Sequence, residues 1–254
     1  MGKTVAIFNQ KGGVGKTTTC VNMAAALGQK GKKTLLIDID PQGNSTSGVG
    51  IDKSTVEYST YDVLTGEATA RSIMVETEFK NLYILPANMN LAGAEVELAE
   101  LENRNSILKK AIATLVMEFD FIIIDCPPSL GMLSINALVA ADTVIVPLQC
   151  EYYALEGLSQ LVSTVRTIKQ HYNEHLELEG VLFTMYDSRL KLNHQVIDEV
   201  NKYFPNKPYK TMIPRSIKIA EAPSFGEPVI YYEKYSKPSF AYKKFVDEFL
   251  KANK

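Results

Sequence analysis

Residues Lys3 to Thr18, KTVAIFNQKGGVGKTT, decide the fold. Val5, Ala6, Ile7 and Phe8 are a short, apolar, β-prone run, and Gly12, Gly13 and Gly15 follow at once, before a helical pattern that begins near Lys16. The order is strand, loop, helix. Glycines lack Cβ, so consecutive backbone N–H groups can curl around phosphate oxygens. In that arrangement Lys16 reaches the β- and γ-phosphates and the Thr17 hydroxyl is placed to ligate Mg²⁺. The template G-x-x-x-x-G-K-[ST] is met except at its first position, where Gln10 stands, and Lys11 adds a second lysine ahead of the glycines.

Further along, apolar strands alternate with amphipathic helices. Strands are expected at 33–39, 82–86, 119–125, 143–147 and 181–185, and helices at 16–30, 95–118, 132–140, 155–172 and 192–203. Near-continuous apolar strands between helices imply an α/β fold, a mostly parallel twisted sheet with helices on both faces. A chain of 254 residues can bury one substantial core. No linker, repeat or low-complexity segment interrupts it, so 1–254 is expected to be one domain.

In such sheets ligands sit at the carboxyl ends of the strands. The second strand ends in Asp38-Ile39-Asp40-Pro41-Gln42-Gly43-Asn44, and the FIIID strand ends at Asp125, before Cys126-Pro127-Pro128. An aspartate closing an apolar strand is suited to holding Mg²⁺ through a water.

The net charge of −2 conceals an asymmetry: 14 Lys/Arg against 22 Asp/Glu over residues 1–188, and 13 against 7 over 189–254. A basic C-terminal quarter on an acidic body suits a polyanionic partner. Cys20, Cys126 and Cys150 are widely spaced and form no C-x-x-C pair, so they are expected to be core thiols. No apolar stretch approaches the roughly 18 residues of a membrane span, and the chain opens directly into a strand. A soluble cytoplasmic protein is expected.

The loop KGGVGKTT resembles the deviant phosphate loop of the ParA/MinD superfamily. DIDPQGN, FIIIDCPPSLG and IPRSIKIAEAPSFGEPV are similar, more narrowly, to the ParA/Soj partition ATPases, and the likeness runs from Met1 to the C-terminal helix. The resemblance implies an ATPase of the P-loop NTPase fold, slow in isolation, with ATP and Mg²⁺ as cofactors. ATP contacts are implied at Lys11, Gly12, Gly13, Val14, Gly15, Lys16, Thr17 and Thr18, with Pro214 and Ser216 beside the adenine. Thr17, Asp38 and Asp125 would hold hydrated Mg²⁺, and Asp40 would orient the attacking water or accept its proton. The γ-phosphate charge would be neutralised by Lys16 in cis and by Lys11 in trans, on the nucleotide of a second subunit in an ATP-dependent homodimer. Non-specific double-stranded DNA contacts are implied at Arg189, Arg215 and Lys218, as are a ParB-like partner that stimulates hydrolysis and nucleoid association. Lys218 stands where the family often has arginine, and Ser216 where it often has asparagine.

Other features read as structural. His171 and His175 lack the order of a zinc motif, and 230–235 (IYYEKY) is expected to be a sheet-edge or packing segment. In the last helix Tyr242, Phe245, Val246, Phe249 and Leu250 form one stripe. Docking on the domain is expected for it, with no stable membrane anchor; the alternative is a MinD-like membrane-cycling ATPase.

Overall fold

The computed structural model describes residues 2–253. Its strands are β1 (Lys3–Ile7), β2 (Thr34–Asp38), β3 (Val75–Glu76), β4 (Leu82–Leu85), β5 (Phe121–Asp125), β6 (Thr143–Gln149) and β7 (Glu177–Thr184). They lie in one sheet in the order β3-β4-β2-β5-β1-β6-β7, and every pairing is parallel except that of β3 with β4. The expected α/β class and mostly parallel sheet are borne out.

The helices are α1 (Lys16–Gln29), α2 (Asn44–Gly48), α3 (Thr60–Thr65), α4 (Leu91–Glu97), α5 (Ile107–Ile112), α6 (Met132–Ala140), α7 (Ala154–His171), α8 (Lys191–Tyr203), α9 (Ile217–Glu221), α10 (Val229–Tyr232) and α11 (Lys237–Ala252). They cover both faces, so the central strands are buried on both sides and read as unbroken apolar runs. The two-residue period of a strand divides them between two cores. Ile122 and Ile124 pack with Leu35, Ile37 and Val144 on one face. Ile123 packs with Val5, Ile7, Leu36 and Ile145 on the other. The stripe of α11 completes the second core: Tyr242, Phe245, Val246 and Phe249 are buried there, and Leu250 packs partly against it.

The helix expected over 95–118 is instead broken. α4 and α5 are separated by 3₁₀ turns at Leu98–Glu100 and Arg104–Ser106, with Asn103 left-handed at φ 61°. The buried Asn136 of α6 stabilises the break: its Nδ2 donates to the Arg104 carbonyl at 2.7 Å, and its Oδ1 accepts from Leu108 N–H at 3.1 Å. A fully buried amide so placed satisfies the backbone groups that a continuous helix would have paired internally. Residues 230–235, expected as a sheet-edge or packing segment, are no strand but the end of the short helix α10 and a turn. They do pack: Ile230 is buried in the second core with Tyr231 and Tyr232 against it. Strand β6 continues two residues past Pro147, and β7 starts at Glu177 and stops at Thr184, both of which matter for the site. Among the described residues no helix is long and apolar enough to cross a membrane.

Candidate functional site

Strands β2, β5, β1 and β6 are consecutive neighbours, so the segments leaving their carboxyl ends meet. Leaving β1, Asn9 is buried; its Nδ2 donates to the Pro147 carbonyl at 2.8 Å, and its Oδ1 accepts from Lys11 N–H at 3.0 Å. The loop then turns through Gly13 and Gly15 at φ 72° and 89°, the left-handed region that favours glycine. It hands over to α1 at Lys16, as the sequence pattern predicts. An open cleft of about 350 Å³ lies over it, lined by Gly12, Gly13, Gly15, Lys16, Thr17, Thr18, Asp40, Gln42, Asn44, Pro128 and Met185.

The Lys16 side chain folds back over the loop, and its Nζ donates to the Lys11 carbonyl at 3.1 Å. Burial lowers its pKa, against the opposing attraction of Asp125, Cys126 and Asp40. Lys11 instead points outward, half exposed, and pairs with Glu151 just past β6.

Asp38 and Asp125 end adjacent strands and face one another in register, both fully buried. Asp38 accepts from the N–H and hydroxyl of Thr46 at 2.8 Å each, and from Asp40 N–H at 3.2 Å. Asp125 accepts from the Ser45 hydroxyl at 2.8 Å and from the Cys20 thiol at 3.4 Å. Burial, followed by the charge of Asp125, pushes Asp38 up to about 8; burial pushes Asp125 up to about 6, against the hydroxyls of Ser45 and Thr17. Two desolvated carboxylates side by side call for positive charge between them. That donor set fits a hydrated divalent cation, because Mg²⁺ uses one or two carboxylates and takes its remaining ligands from water and phosphate. Among the described residues no group of three or more His, Cys, Asp or Glu side chains is arranged to hold a metal ion by itself. Asp40 lines the cleft, its carboxylate accepting from Gln42 N–H at 2.9 Å.

Beside this cleft lies a second one of about 180 Å³, walled by Gly15, Thr18, Thr184, Met185, Pro214, Ser216, Ile219 and Tyr242 among others. It is mostly apolar and adjoins the phosphate loop at Gly15 and Thr18, and Pro214 and Ser216 are part of its wall. The Ser216 hydroxyl is already engaged, accepting from Lys218 N–H as the cap of α9.

Of the basic residues, Arg189 and Arg215 come together around Asp187. Arg189 grips it with Nε at 2.9 Å and Nη2 at 2.6 Å, and the Asp187 carboxyl is held down to about 2 chiefly by that hydrogen bonding, with a smaller contribution from the charge of Arg215. Lys218 is bound to Glu221 at 2.9 Å and lies over the Tyr232 ring. Sequence reasoning missed Ser45, Thr46, Gln149, Glu151, Thr184 and Met185. The first two follow the second aspartate motif directly. The others lie at the ends of β6 and β7, where the rule about strand ends points once those ends are known.

The family model for an AAA domain matches residues 2–178. The chain is 55% identical over 242 residues to the sporulation initiation inhibitor protein Soj of Bacillus subtilis, covering 95% of this chain and 96% of that one. It is 48% identical over 242 residues to the chromosome partitioning protein ParA of Myxococcus xanthus, covering 95% and 86%. Among solved structures, cobyrinic acid a,c-diamide synthase of Mycobacterium smegmatis with bound ADP and magnesium superposes with a TM-score of 0.86 at 40% identity, over 97% of this chain and 93% of that one.

Proposed function

The chain belongs to the ParA/Soj family of chromosome-partitioning ATPases, and from that premise we propose that it is a nucleotide-driven switch, dimeric and DNA-bound with ATP and released by hydrolysis. The observation that carries this reading is the convergence in one cleft of a glycine loop, a buried lysine and Asp40, with the buried pair Asp38 and Asp125 at the ends of the adjacent strands β2 and β5. Bound ATP·Mg²⁺ supplies a phosphoanhydride whose terminal phosphoryl group can pass to water. The relative solved with ADP and magnesium supports that ligand.

The residues divide the work. The N–H groups of the loop from Gly12 to Thr18 cradle the phosphates, and Lys16 neutralises their charge. Thr17, Asp38 and Asp125 hold hydrated Mg²⁺. Asp40, free of the strand ladder and facing the cleft, orients the attacking water and takes its proton. Pro214 and Ser216 flank the base.

Lys11 projects out of its own subunit's cleft, which suits a target in a second subunit. Its exposed pairing with Glu151 is worth at most about 1 kcal/mol, so it opens readily when that target arrives. Nucleotide shared between two subunits makes the dimer a state that the γ-phosphate holds and hydrolysis dissolves.

Residues 1–254 act as one domain, because α11 packs on α1 and fills the second core. Arg189, Arg215 and Lys218 then ride on the ATPase body and contact DNA phosphates, with a ParB-like protein stimulating hydrolysis and nucleoid association following from the DNA contacts. The membrane-cycling alternative loses its main support, since the apolar stripe of α11 is already buried.

Sedimentation with MgATP tests the switch. Lys11→Ala should bind ATP within a few-fold of wild type yet remain monomeric, while Asp40→Ala should form the dimer and keep it. A normal ATP dimer from Lys11→Ala removes the role in trans. Hydrolysis at the wild-type rate by Asp40→Ala moves the catalytic carboxylate elsewhere.

A further inference from the structure

We propose that Gln149 and Thr184 are positioning residues for the phosphate loop: together they turn the Val14 and Gly15 N–H groups into the cleft. The inference rests on the nucleotide site proposed above and assigns two residues that the sequence motifs of the site do not include.

The two are direct register partners at the last rung of the β6–β7 ladder, so their side chains leave the same face of the sheet. Both reach the loop that leaves β1. Thr184 Oγ1 donates to the Val14 carbonyl at 2.8 Å, and Gln149 Nε2 donates to the Gly13 carbonyl at 3.0 Å. In a trans peptide unit the C=O and N–H point in opposite directions. The Gly13 carbonyl shares its unit with Val14 N–H, and the Val14 carbonyl shares its unit with Gly15 N–H. Holding both carbonyls on the sheet side therefore commits both N–H groups to the other side, where the left-handed turns at Gly13 and Gly15 open an anion-binding concavity. Thr184 and Val14 are 3% and 1% exposed, so water cannot replace a missing hydroxyl at this contact.

The same strand end also walls the neighbouring cleft. Met185, itself left-handed at φ 52°, lines both cavities, and Gln149 Nε2 lies 2.7 Å from its sulfur. Thr184 also walls that cleft, but its hydroxyl is given to the Val14 carbonyl, so losing the hydroxyl is felt at the phosphates while an isosteric valine keeps the wall facing the base.

Calorimetric titration with MgADP and with adenosine separates the two. Thr184→Val keeps the shape but removes the donor and should weaken MgADP about tenfold, the equivalent of one hydrogen bond of roughly 1.4 kcal/mol, and leave adenosine unchanged. Thr184→Ser should restore MgADP affinity to within twofold of wild type, and Gln149→Leu should weaken it severalfold. The proposal is overturned if folded Thr184→Val binds MgADP within twofold of wild type, if ADP and adenosine weaken together, or if Thr184→Ser fails to rescue. Should Thr184→Val not fold, Gln149→Leu decides alone, and unchanged MgADP affinity overturns the proposal. Lys16→Ala is the reference. If it loses MgADP while the other variants do not, only this inference falls; if wild type fails to bind MgADP, the nucleotide site falls with it.

Discussion

Lys16 carries a charge that its surroundings do not fully compensate. Its ammonium has three donors and is 7% exposed as a residue, and the hydrogen bond described for it goes to the Lys11 carbonyl. Burial lowers its pKa because the charged form is short of partners, and the nearby acidic groups only partly offset this. Phosphate oxygens above the loop would satisfy the remaining donors, and hydrogen bonds to charged groups contribute about 1.5–3 kcal/mol each. Lys16→Ala should therefore weaken MgADP by about two orders of magnitude, the fold-change that matches roughly 2.7 kcal/mol. Calorimetry checks it, and affinity within threefold of wild type would mean that the glycine loop holds something other than phosphate. Lys11 is the contrast: five residues earlier in the same loop, it is half exposed and paired with Glu151. Chemistry alone does not separate two lysines flanking the same glycines, but burial does.

At the scale of elements, the break between α4 and α5 depends on Asn136. Replacing it with alanine leaves Leu108 N–H, in the core, and Arg104 C=O, at a part-buried position, without their partner, at about 1–3 kcal/mol for each unsatisfied group. Thermal unfolding of Asn136→Ala should show a midpoint lower by about 4–24 °C, since each kcal/mol moves a domain of this size by about 2–4 °C, with MgADP affinity unchanged. An unaltered midpoint would mean that water replaces the amide at both ends. This break also marks what the sequence conceals. β1, β2 and β5 were legible because each is an apolar run ending in a glycine loop or an aspartate, and together they place Lys16, Asp38, Asp40 and Asp125. The segment 95–118 carries enough helix formers to read as continuous, and the signal against it lies in the side chain of Asn136, some twenty residues past its end. The short helices α2, α3 and α9 lack the length over which a hydrophobic period can be read. Gln149 was missed for a related reason: β6 passes through Pro147 to its true end, whereas proline usually marks the boundary of an interior strand. Thr184 lies within the expected strand 181–185, but no motif marks a threonine there as a site residue.

For the whole molecule, the basic C-terminal quarter has to be weighed by its pairings rather than by its count. Arg189 is 86% exposed in its side chain yet spends its guanidinium on Asp187, and Lys218 is tied to Glu221. Arg215 has no carboxylate partner among the described ion pairs and adjoins Asp187 only through its charge. If this face meets DNA phosphates, Asp187 competes with them for Arg189. Asp187→Ala should therefore strengthen DNA retention severalfold, in the dimer and for all sequences alike, because phosphate contacts carry no sequence information. Arg215→Glu should weaken it the more steeply, since it removes an uncommitted cation and adds repulsion. Each phosphate contacted contributes about −0.9 to the slope of log affinity against log salt, so Arg215→Glu should flatten that slope by about one for each subunit engaged and Asp187→Ala should steepen it. A dimer presents two such faces rigidly, so retention should require ATP and be weak with ADP. The measurement is binding of scrambled duplexes by wild type and both variants at two salt concentrations, with ATP and with ADP. Equal retention in the two nucleotide states would separate the switch from the DNA surface. Weaker retention by Asp187→Ala would make Asp187 a brace that holds Arg189 toward the phosphates rather than a competitor for it.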